Sequence, residues 1–428
     1  MISTQQLYAR FRDAAGACTD TRKITPEVIF FALKGEKFDG NQYAAKALQA
    51  GAGFAVVDDP AVVKNNRFLL VPDVLQALQK LATHHRQTLG IPVVGLTGSN
   101  GKTTTKELLR EVLAVKYRVV ATEGNFNNHI GVPLTLLRMQ QDTQIAVIEM
   151  GANHVGEIAA LCEIAQPTHG LITNIGKAHL EGFGGYEGVL RAKSELYHYL
   201  IKHEGVIFVN SEDNVLMNMA KRMNKPVLYN APDDFYTCRL LSANPFVQYA
   251  DEDGTTVKTQ LPGTYNFKNI AAALCVGKYF AVNRQEANQA IAGYVPQNNR
   301  SQIINTKSNR LILDAYNANP TSMQAALETL EATEYPQKVV ILGDMFELGD
   351  DSNPEHEKIV ALVQQMQLTS AIFCGEASAR AAANLDCGLS FKTKDELTNY
   401  LKEKPISNAL ILIKASRGMG LETLVEYL

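Results

Sequence analysis

Residues 95–105, Gly95-Leu96-Thr97-Gly98-Ser99-Asn100-Gly101-Lys102-Thr103-Thr104-Thr105, decide the fold of this 428-residue chain. The apolar run Pro92-Val93-Val94-Gly95-Leu96 leads into them and reads as a buried strand. Behind them Leu108, Leu109, Val112 and Leu113 recur on one face, which is helical spacing. A Gly-rich turn between a strand and a helix directs backbone N–H groups at one point. The helix dipole adds positive potential there, so the point suits phosphate. Lys102 is placed to reach the terminal phosphates, and the Thr103 hydroxyl to hold Mg²⁺. The strict P-loop pattern has Gly at position 96, where this chain has Leu96. It offers Gly98-x-x-Gly101-Lys102-Thr103-Thr104 instead, a tighter variant. A chance Gly-Lys-Thr in a Gly-rich loop is the alternative, and the flanking strand and helix argue against it.

Outward from this loop, the length exceeds one ordinary core, so two or three domains are expected. Net charge is −3 and the pI about 6.3, which gives no basic surface for nucleic acid. The six cysteines lie far apart with no Cys-x-x-Cys pair. That spacing suits a reducing compartment and neither a disulfide frame nor a zinc site. The N-terminal residues lack the apolar core of a secretory signal. No apolar run approaches the ~18 residues of a membrane span. A cytoplasmic protein without a membrane span is expected.

The chain divides into an α/β domain over 1–88, a central P-loop domain with a parallel sheet over 89–297, and a Rossmann-like domain over 298–428. In the first, Val28–Leu33, Phe54–Asp58 and Phe68–Val71 read as strands and Val74–Leu89 as a helix ended by Gly90-Ile91-Pro92. In the second, Val93–Thr97, Arg118–Ala121, Ile145–Met150, Gly170–Asn174, Val206–Asn210 and Val227–Tyr229 are continuous apolar runs separated by helical patterns. Such runs indicate a parallel sheet covered on both faces. Phe235–Leu261 interrupts them with antiparallel strands around Asp251-Glu252-Asp253-Gly254. After Pro296-Gln297-Asn298-Asn299, the runs Leu311–Asp314, Val339–Gly343, Ala371–Cys374 and Leu410–Lys414 restart the parallel pattern.

Ligands of open α/β sheets bind beyond the carboxyl ends of the strands, and several strands here end in polar clusters. Ile145–Met150 ends at Glu149, either a Mg²⁺ ligand or a helix-capping acid. The next strand leads to His179, either a metal ligand or a loop histidine. Lys193, in Arg191-Ala192-Lys193-Ser194-Glu195-Leu196, reads from the residues alone as a solvated helix lysine. The loop carrying Asn127 and Asn128 either binds substrate or ends the preceding strand. In the third domain, Asp314-Ala315-Tyr316-Asn317-Ala318-Asn319-Pro320 presents several hydrogen-bonding groups at a strand end. Lys414 and Arg417, at the end of the last strand, form a pair that would attract a carboxylate.

These blocks, in this order, resemble the Mur ligases of peptidoglycan synthesis over nearly the whole chain. GSNGKTTTKE, GNFNNHIGVPLTLL, EMGANHVGEI, ITNIGKAHLEGFG, RAKSEL, DAYNANPTSM, LGDMFELG and KASRGMG carry the resemblance. Thr19-Asp20-Thr21-Arg22 resembles the family's UDP-binding start, with Thr21 where Ser is more frequent; Thr21 and Arg22 are thereby assigned to the UDP-linked substrate. The resemblance implies three domains, for the UDP-sugar, for ATP and for the incoming amine. It implies that Gly98, Ser99, Asn100, Gly101, Lys102, Thr103, Thr104, Asn269, Arg300 and Asn317 contact ATP. It implies two Mg²⁺ held by Thr103, Glu149, His179 and a Lys193 carbamylated by CO₂, with Lys102, Lys193 and His179 as the catalytic set. Asn127, Asn128, Asp314, Tyr316, Asn319, Lys414 and Arg417 are assigned to substrate. Tyr265 stands where relatives often carry His.

The activity implied is an ATP-driven amide ligation through an acyl phosphate. The YNANP and GDMFELG blocks point to the branch that joins D-Ala-D-Ala to UDP-N-acetylmuramoyl-tripeptide. A monomer is expected. A sibling activity adding one amino acid, as in MurE or folylpolyglutamate synthase, is the nearest alternative. A P-loop ATPase that uses hydrolysis for movement or switching is the alternative of another class.

Overall fold

The computed structural model describes residues 1–297 and 299–428. Asn298, where the third domain is expected to begin, lies outside the described residues. Three α/β units follow one another along the chain, each built on its own sheet.

The first sheet has four parallel strands in the order Ala17–Cys18, Ile29–Phe31, Phe54–Val57, Phe68–Leu70. Asp73 caps the helix Val74–Leu89 by accepting from Gln76 N, and Gly90 ends it in a left-handed turn at φ 62°. This helix faces two ways. Leu78, Leu81 and Ala82 pack into the core. On its other side Thr83 Oγ1 donates to Ile164 O at 3.1 Å and Arg86 Nε to Ala165 O at 3.2 Å. These bonds to carbonyls of the second unit fix the first unit on it.

The second sheet has six parallel strands in the order Val227–Tyr229, Val206–Asn210, His169–Ile172, Val93–Thr97, Ile145–Glu149, Val119–Ala121. Val93–Thr97 is central and buried throughout, as its unbroken apolar run requires. Its carboxyl end opens into the Gly-rich loop and the helix Lys102–Ala114. The strands on either side end beside it at Glu149 and before Thr173-Asn174. Three antiparallel strands, Arg239–Ser242, Phe246–Ala250 and Thr256–Pro262, share a core with the helices Tyr265–Tyr279 and Lys102–Ala114.

The third sheet runs Gln302–Asn305, Arg310–Leu313, Leu410–Lys414, Lys338–Gly343, Ser370–Cys374, Leu389–Phe391. All its pairs are parallel except the first, an antiparallel edge strand. The residues Gln302–Asn305 are only half-buried and carry polar groups at both ends, so no apolar run marks them in the sequence. Among the described residues no helix is long and apolar enough to cross a membrane.

Candidate active site

The loop after Val93–Thr97 depends on two glycines. Gly98 has φ +147°, and a Cβ on it would lie 1.9 Å from Thr173 Oγ1. Gly101 has φ +79°, and its Cβ would lie 2.5 Å from Asn269 Oδ1. Only glycine meets both the backbone angle and the space. The rest of the loop is pinned from the neighbouring strand end. Ser99 Oγ donates to Gly176 O at 2.9 Å, and Asn100 N to Asn174 Oδ1 at 3.0 Å. Asn269, assigned to ATP by resemblance, accepts from Thr105 Oγ1 at 3.1 Å and so braces the helix from beneath.

Lys102 and Thr103 open the helix, with Thr104 half-buried beside them. Lys102 Nζ donates to Gly98 O at 2.7 Å and Ser99 O at 3.1 Å. Burial lowers its pKa to about 8; the Glu149 carboxylate opposes that shift and the nearby Arg300 adds to it. Thr103 Oγ1 donates to Glu149 Oε2 at 3.0 Å, and Asn127 Nδ2 donates to Glu149 Oε1 at 2.8 Å. Glu149 thus sits beside the loop rather than capping a helix. Asn128 instead serves the backbone, accepting from Ile130 N and Gly131 N where the helix Gly131–Leu136 begins.

Glu149 is 1 % exposed and forms no ion pair among the described residues. Its carboxylate and the Thr103 hydroxyl are hard oxygen donors, and a divalent cation would supply the missing positive charge, so the pair fits Mg²⁺. Among the described residues no group of three or more His, Cys, Asp or Glu side chains forms a metal cluster. His179, in a left-handed turn at φ 54°, has its Nδ1 against the Glu347 carboxylate of the third unit.

Lys193 departs from the solvated lysine that its own stretch suggests. It is 1 % exposed, in a helix whose Val189, Ala192, Leu196 and Leu200 are buried with it. Its Nζ lies 5.1 Å from the centre of the Phe183 ring, and the His179 ring stands roughly perpendicular to that ring at 6.3 Å between centres. No ion pair neutralises it among the described residues. Burial, reinforced by Lys102, pulls its pKa down to about 7 against the weaker pull of Glu195 and Glu157.

The third unit brings its own groups to this place. The Arg300 guanidinium lies 3.6 Å from the Tyr316 ring centre, and its buried Nε has no partner among the described residues. Arg417 lies 5.0 Å from the same centre and donates to Tyr316 Oη at 3.2 Å. Tyr265 Oη meets Ser301 Oγ at 2.6 Å, and Ser301 N donates to Asp314 Oδ1 at 3.1 Å. Asn317 Oδ1 accepts from Ala318 N. Asn319 Nδ2 donates to Asn100 Oδ1 at 2.8 Å, so the third unit touches the phosphate loop directly.

One expectation needs correction. Lys414 is 2 % exposed, and its ammonium pairs with Asp314 Oδ2 and donates to Asn317 O at 3.1 Å. It braces the 314–317 turn, and its charge is already met. Arg417 is the member of the pair whose guanidinium remains exposed. Thr21 and Arg22 lie on the first unit in the short turn Thr21–Lys23, where Arg22 is 87 % exposed and paired with Asp20 at 2.8 Å.

The sequence gives no role to the seam between the second and third units. Lys177 Nζ meets Glu355 Oε1 at 2.7 Å, Lys177 N donates to Thr321 Oγ1 at 3.2 Å, and Glu181 N donates to Glu347 O at 3.2 Å. His356 orients one side of this seam: its Nε2 accepts from Met345 N at 3.0 Å, at the start of the loop that carries Glu347.

A phosphate loop on a parallel sheet, a buried carboxylate and lysine beside it, and a third α/β unit whose loop touches it define an ATP-dependent ligase of three domains. The chain belongs to the Mur ligase family: the models for the family's catalytic domain, its middle domain and its glutamate ligase domain match residues 15–86, 96–277 and 299–417. It is 37 % identical, over 96 % of its length and 92 % of the relative's, to the UDP-N-acetylmuramoyl-tripeptide–D-alanyl-D-alanine ligase of Bacillus subtilis. It is 34 % identical over the same shares to the ligase of that name from Escherichia coli. The crystal structure of MurF from Acinetobacter baumannii superposes with a TM-score of 0.87 at 31 % identity, covering 99 % of this chain and 98 % of that one. MurF from Thermotoga maritima in complex with ADP gives 0.83 at 28 % identity, covering 96 % of each chain. A folylpolyglutamate synthase from Mycobacterium tuberculosis, at 14 % identity and a TM-score of 0.62, shares the fold alone.

Proposed function

We propose that this chain joins D-Ala-D-Ala to UDP-N-acetylmuramoyl-tripeptide at the expense of ATP, a step of peptidoglycan precursor synthesis. The observation that carries the reading is the convergence of the Lys102 phosphate loop with the Tyr316–Asn319 loop and Arg417 of the third domain. Such a site brings a phosphorylated carboxylate and an incoming amine together. The near full-length likeness to ligases of this name names the substrates.

A terminal carboxylate oxygen of the tripeptide attacks the γ-phosphorus, and ADP leaves. The dipeptide amine then adds to the acyl carbonyl, loses a proton, and expels phosphate as the C–O bond breaks. The protein contributes mainly positioning and charge. Lys102 stabilises the charge of the transferring phosphoryl group. Thr103 and Glu149 would hold Mg²⁺, which neutralises phosphate charge when bound. Arg300 is assigned to the nucleotide; its guanidinium against the Tyr316 ring, with a buried Nε that has no partner among the described residues, supports that reading.

Lys193 carbamylation belongs to the same reading. A buried amine with a pKa of about 7 is substantially neutral near physiological pH, and the neutral amine is the form that attacks CO₂. The N–C bond forms, one proton goes to solvent, and the anion left is a further oxygen donor toward Mg²⁺. Thr21 and Arg22 are assigned to the UDP end, and a monomer suffices for this chemistry.

The test is phosphate release by the purified chain with UDP-tripeptide and ATP. D-Ala-D-Ala should support it far better than D-Ala, L-Lys, diaminopimelate or glutamate. A single amino acid working equally well would move the chain to the MurE or folate branch. ATP turnover independent of any acceptor would make it a P-loop ATPase of another kind.

A further inference from the structure

One pair of amides joins the phosphate loop to the acceptor domain. Asn319 Nδ2 donates to Asn100 Oδ1 at 2.8 Å, between residues 219 positions apart. Other bonds fix which end of each amide faces the other. Asn319 Oδ1 accepts from Ser322 N at 2.9 Å as the N-cap of the helix Pro320–Ala332, and Asn319 N donates back to Ser322 Oγ at 3.1 Å. Its Nδ2 must therefore face Asn100, and Asn100 must answer with Oδ1.

That leaves Asn100 Nδ2 turned away, buried and without a partner among the described residues. The backbone around it has no freedom to relieve this. Asn100 N donates to Asn174 Oδ1 at 3.0 Å, and Asn100 O accepts from Thr173 Oγ1 at 2.6 Å and Asn174 Nδ2 at 2.9 Å. A buried donor left unpaired is destabilising, and native structures rarely keep one without use. Held in a phosphate-binding loop, it calls for an acceptor oxygen brought by the ligand.

We propose that Asn100 is a relay between the phosphoryl group and the acceptor domain. Its Nδ2 donates to an oxygen of the γ-phosphate, and later of the acyl phosphate. Its Oδ1 holds Asn319 and with it the Tyr316–Asn319 loop. An oxygen in the phosphate site holds the Asn100 amide in this same orientation and so strengthens its hold on the acceptor loop, and Asn319 is the positioning residue at the far end. Because coupling between two sites is reciprocal, ATP tightens D-Ala-D-Ala binding and the dipeptide tightens ATP binding by the same factor. The relay rests on the ligase reading above.

The experiment uses the full chain with UDP-tripeptide bound. Calorimetry gives the Kd of D-Ala-D-Ala with and without a non-hydrolysable ATP analogue. In the unmodified protein the analogue should tighten the dipeptide roughly two- to tenfold, the range of one net hydrogen bond. Asn319→Ser keeps an N-cap oxygen for Ser322 N and loses only the amide that reaches Asn100. In Asn319→Ser, and in Asn100→Ala, the ratio should fall to near one. A purely structural cap would weaken both states alike and leave the ratio unchanged, and that result overturns the relay. A ratio of one in an unmodified protein that ligates the dipeptide also overturns it, while leaving the ligase reading intact. A protein that does not ligate the dipeptide at all overturns both.

Discussion

Lys193→Met should make the protein more stable while stopping its turnover, and the gain should shrink as pH rises. Lys193 titrates near 7 in the folded chain against an ordinary value of 10.5. Between those values the unfolded chain holds a proton that the native chain has shed, so native stability rises with pH across that window and is flat below it. Relative to a neutral side chain, the cost at pH 7 is about 4 kcal/mol, and at pH 9 about 2 kcal/mol. Methionine has similar length and no charge to desolvate, so it removes this cost at both pH values. The stability gap between variant and unmodified protein should therefore narrow by about 2 kcal/mol from pH 7 to pH 9. For a domain of this size that is a convergence of roughly 4–8 °C in the midpoint of the transition that reports the central domain. Thermal scans of both proteins, in CO₂-free buffer so that the amine stays unmodified, measure it. A gap of the same size at pH 7 and pH 9 would refute the reasoning, since it would mean that Lys193 keeps an ordinary pKa despite its burial.

Lys102→Ala removes the positive charge nearest the transferring phosphoryl group, and kcat should drop by at least ~10²–10³ with the fold intact by circular dichroism. Near-normal kcat would undo the phosphate-loop assignment. Lys193→Ala should be nearly inactive, and added formate or acetate should restore part of its turnover by placing an anion where the carbamate forms; full activity of this variant without CO₂ would remove the carbamate from the account. Arg417→Ala should raise the KM for D-Ala-D-Ala by roughly ten- to a hundredfold, the cost of one charge-assisted bond, and the KM for ATP much less. An effect confined to ATP would place Arg417 at the nucleotide instead.

Strand order along the chain was legible wherever an unbroken apolar run marks a strand. Val93–Thr97, Val206–Asn210, Val227–Tyr229 and Leu410–Lys414 form over the same residues that the sequence marks. Ala17–Cys18, Gln302–Asn305 and Leu389–Phe391, each at the edge of its sheet and only partly buried or exposed, are edge strands that no apolar run shows. The phosphate loop was legible because its chemistry is local: glycines, lysine and threonine within a few positions. The burial of Lys193 was also written in the sequence, though its immediate neighbours hide it. Val189, Ala192, Leu196 and Leu200 place it on the apolar stripe of its helix. What local sequence cannot carry is the seam between domains. Asn100 with Asn319, Lys177 with Glu355 and His179 with Glu347 meet only because two separately folded sheets dock, and no spacing along the chain records that docking. Lys414 was hidden for another reason: it meets Asp314 inside the third unit, where neighbouring strand ends 100 residues apart in the chain lie side by side.

The central claim is that ATP activates the tripeptide carboxylate itself, and oxygen transfer tests it most directly. UDP-tripeptide labelled with ¹⁸O in its terminal carboxylate is turned over with ATP and D-Ala-D-Ala, and the released phosphate is analysed by mass spectrometry. Attack of that carboxylate on the γ-phosphorus, followed by C–O cleavage when the amine adds, predicts one ¹⁸O in each phosphate released. Phosphate without the label, formed while the amide product accumulates, would contradict an acyl-phosphate ligase.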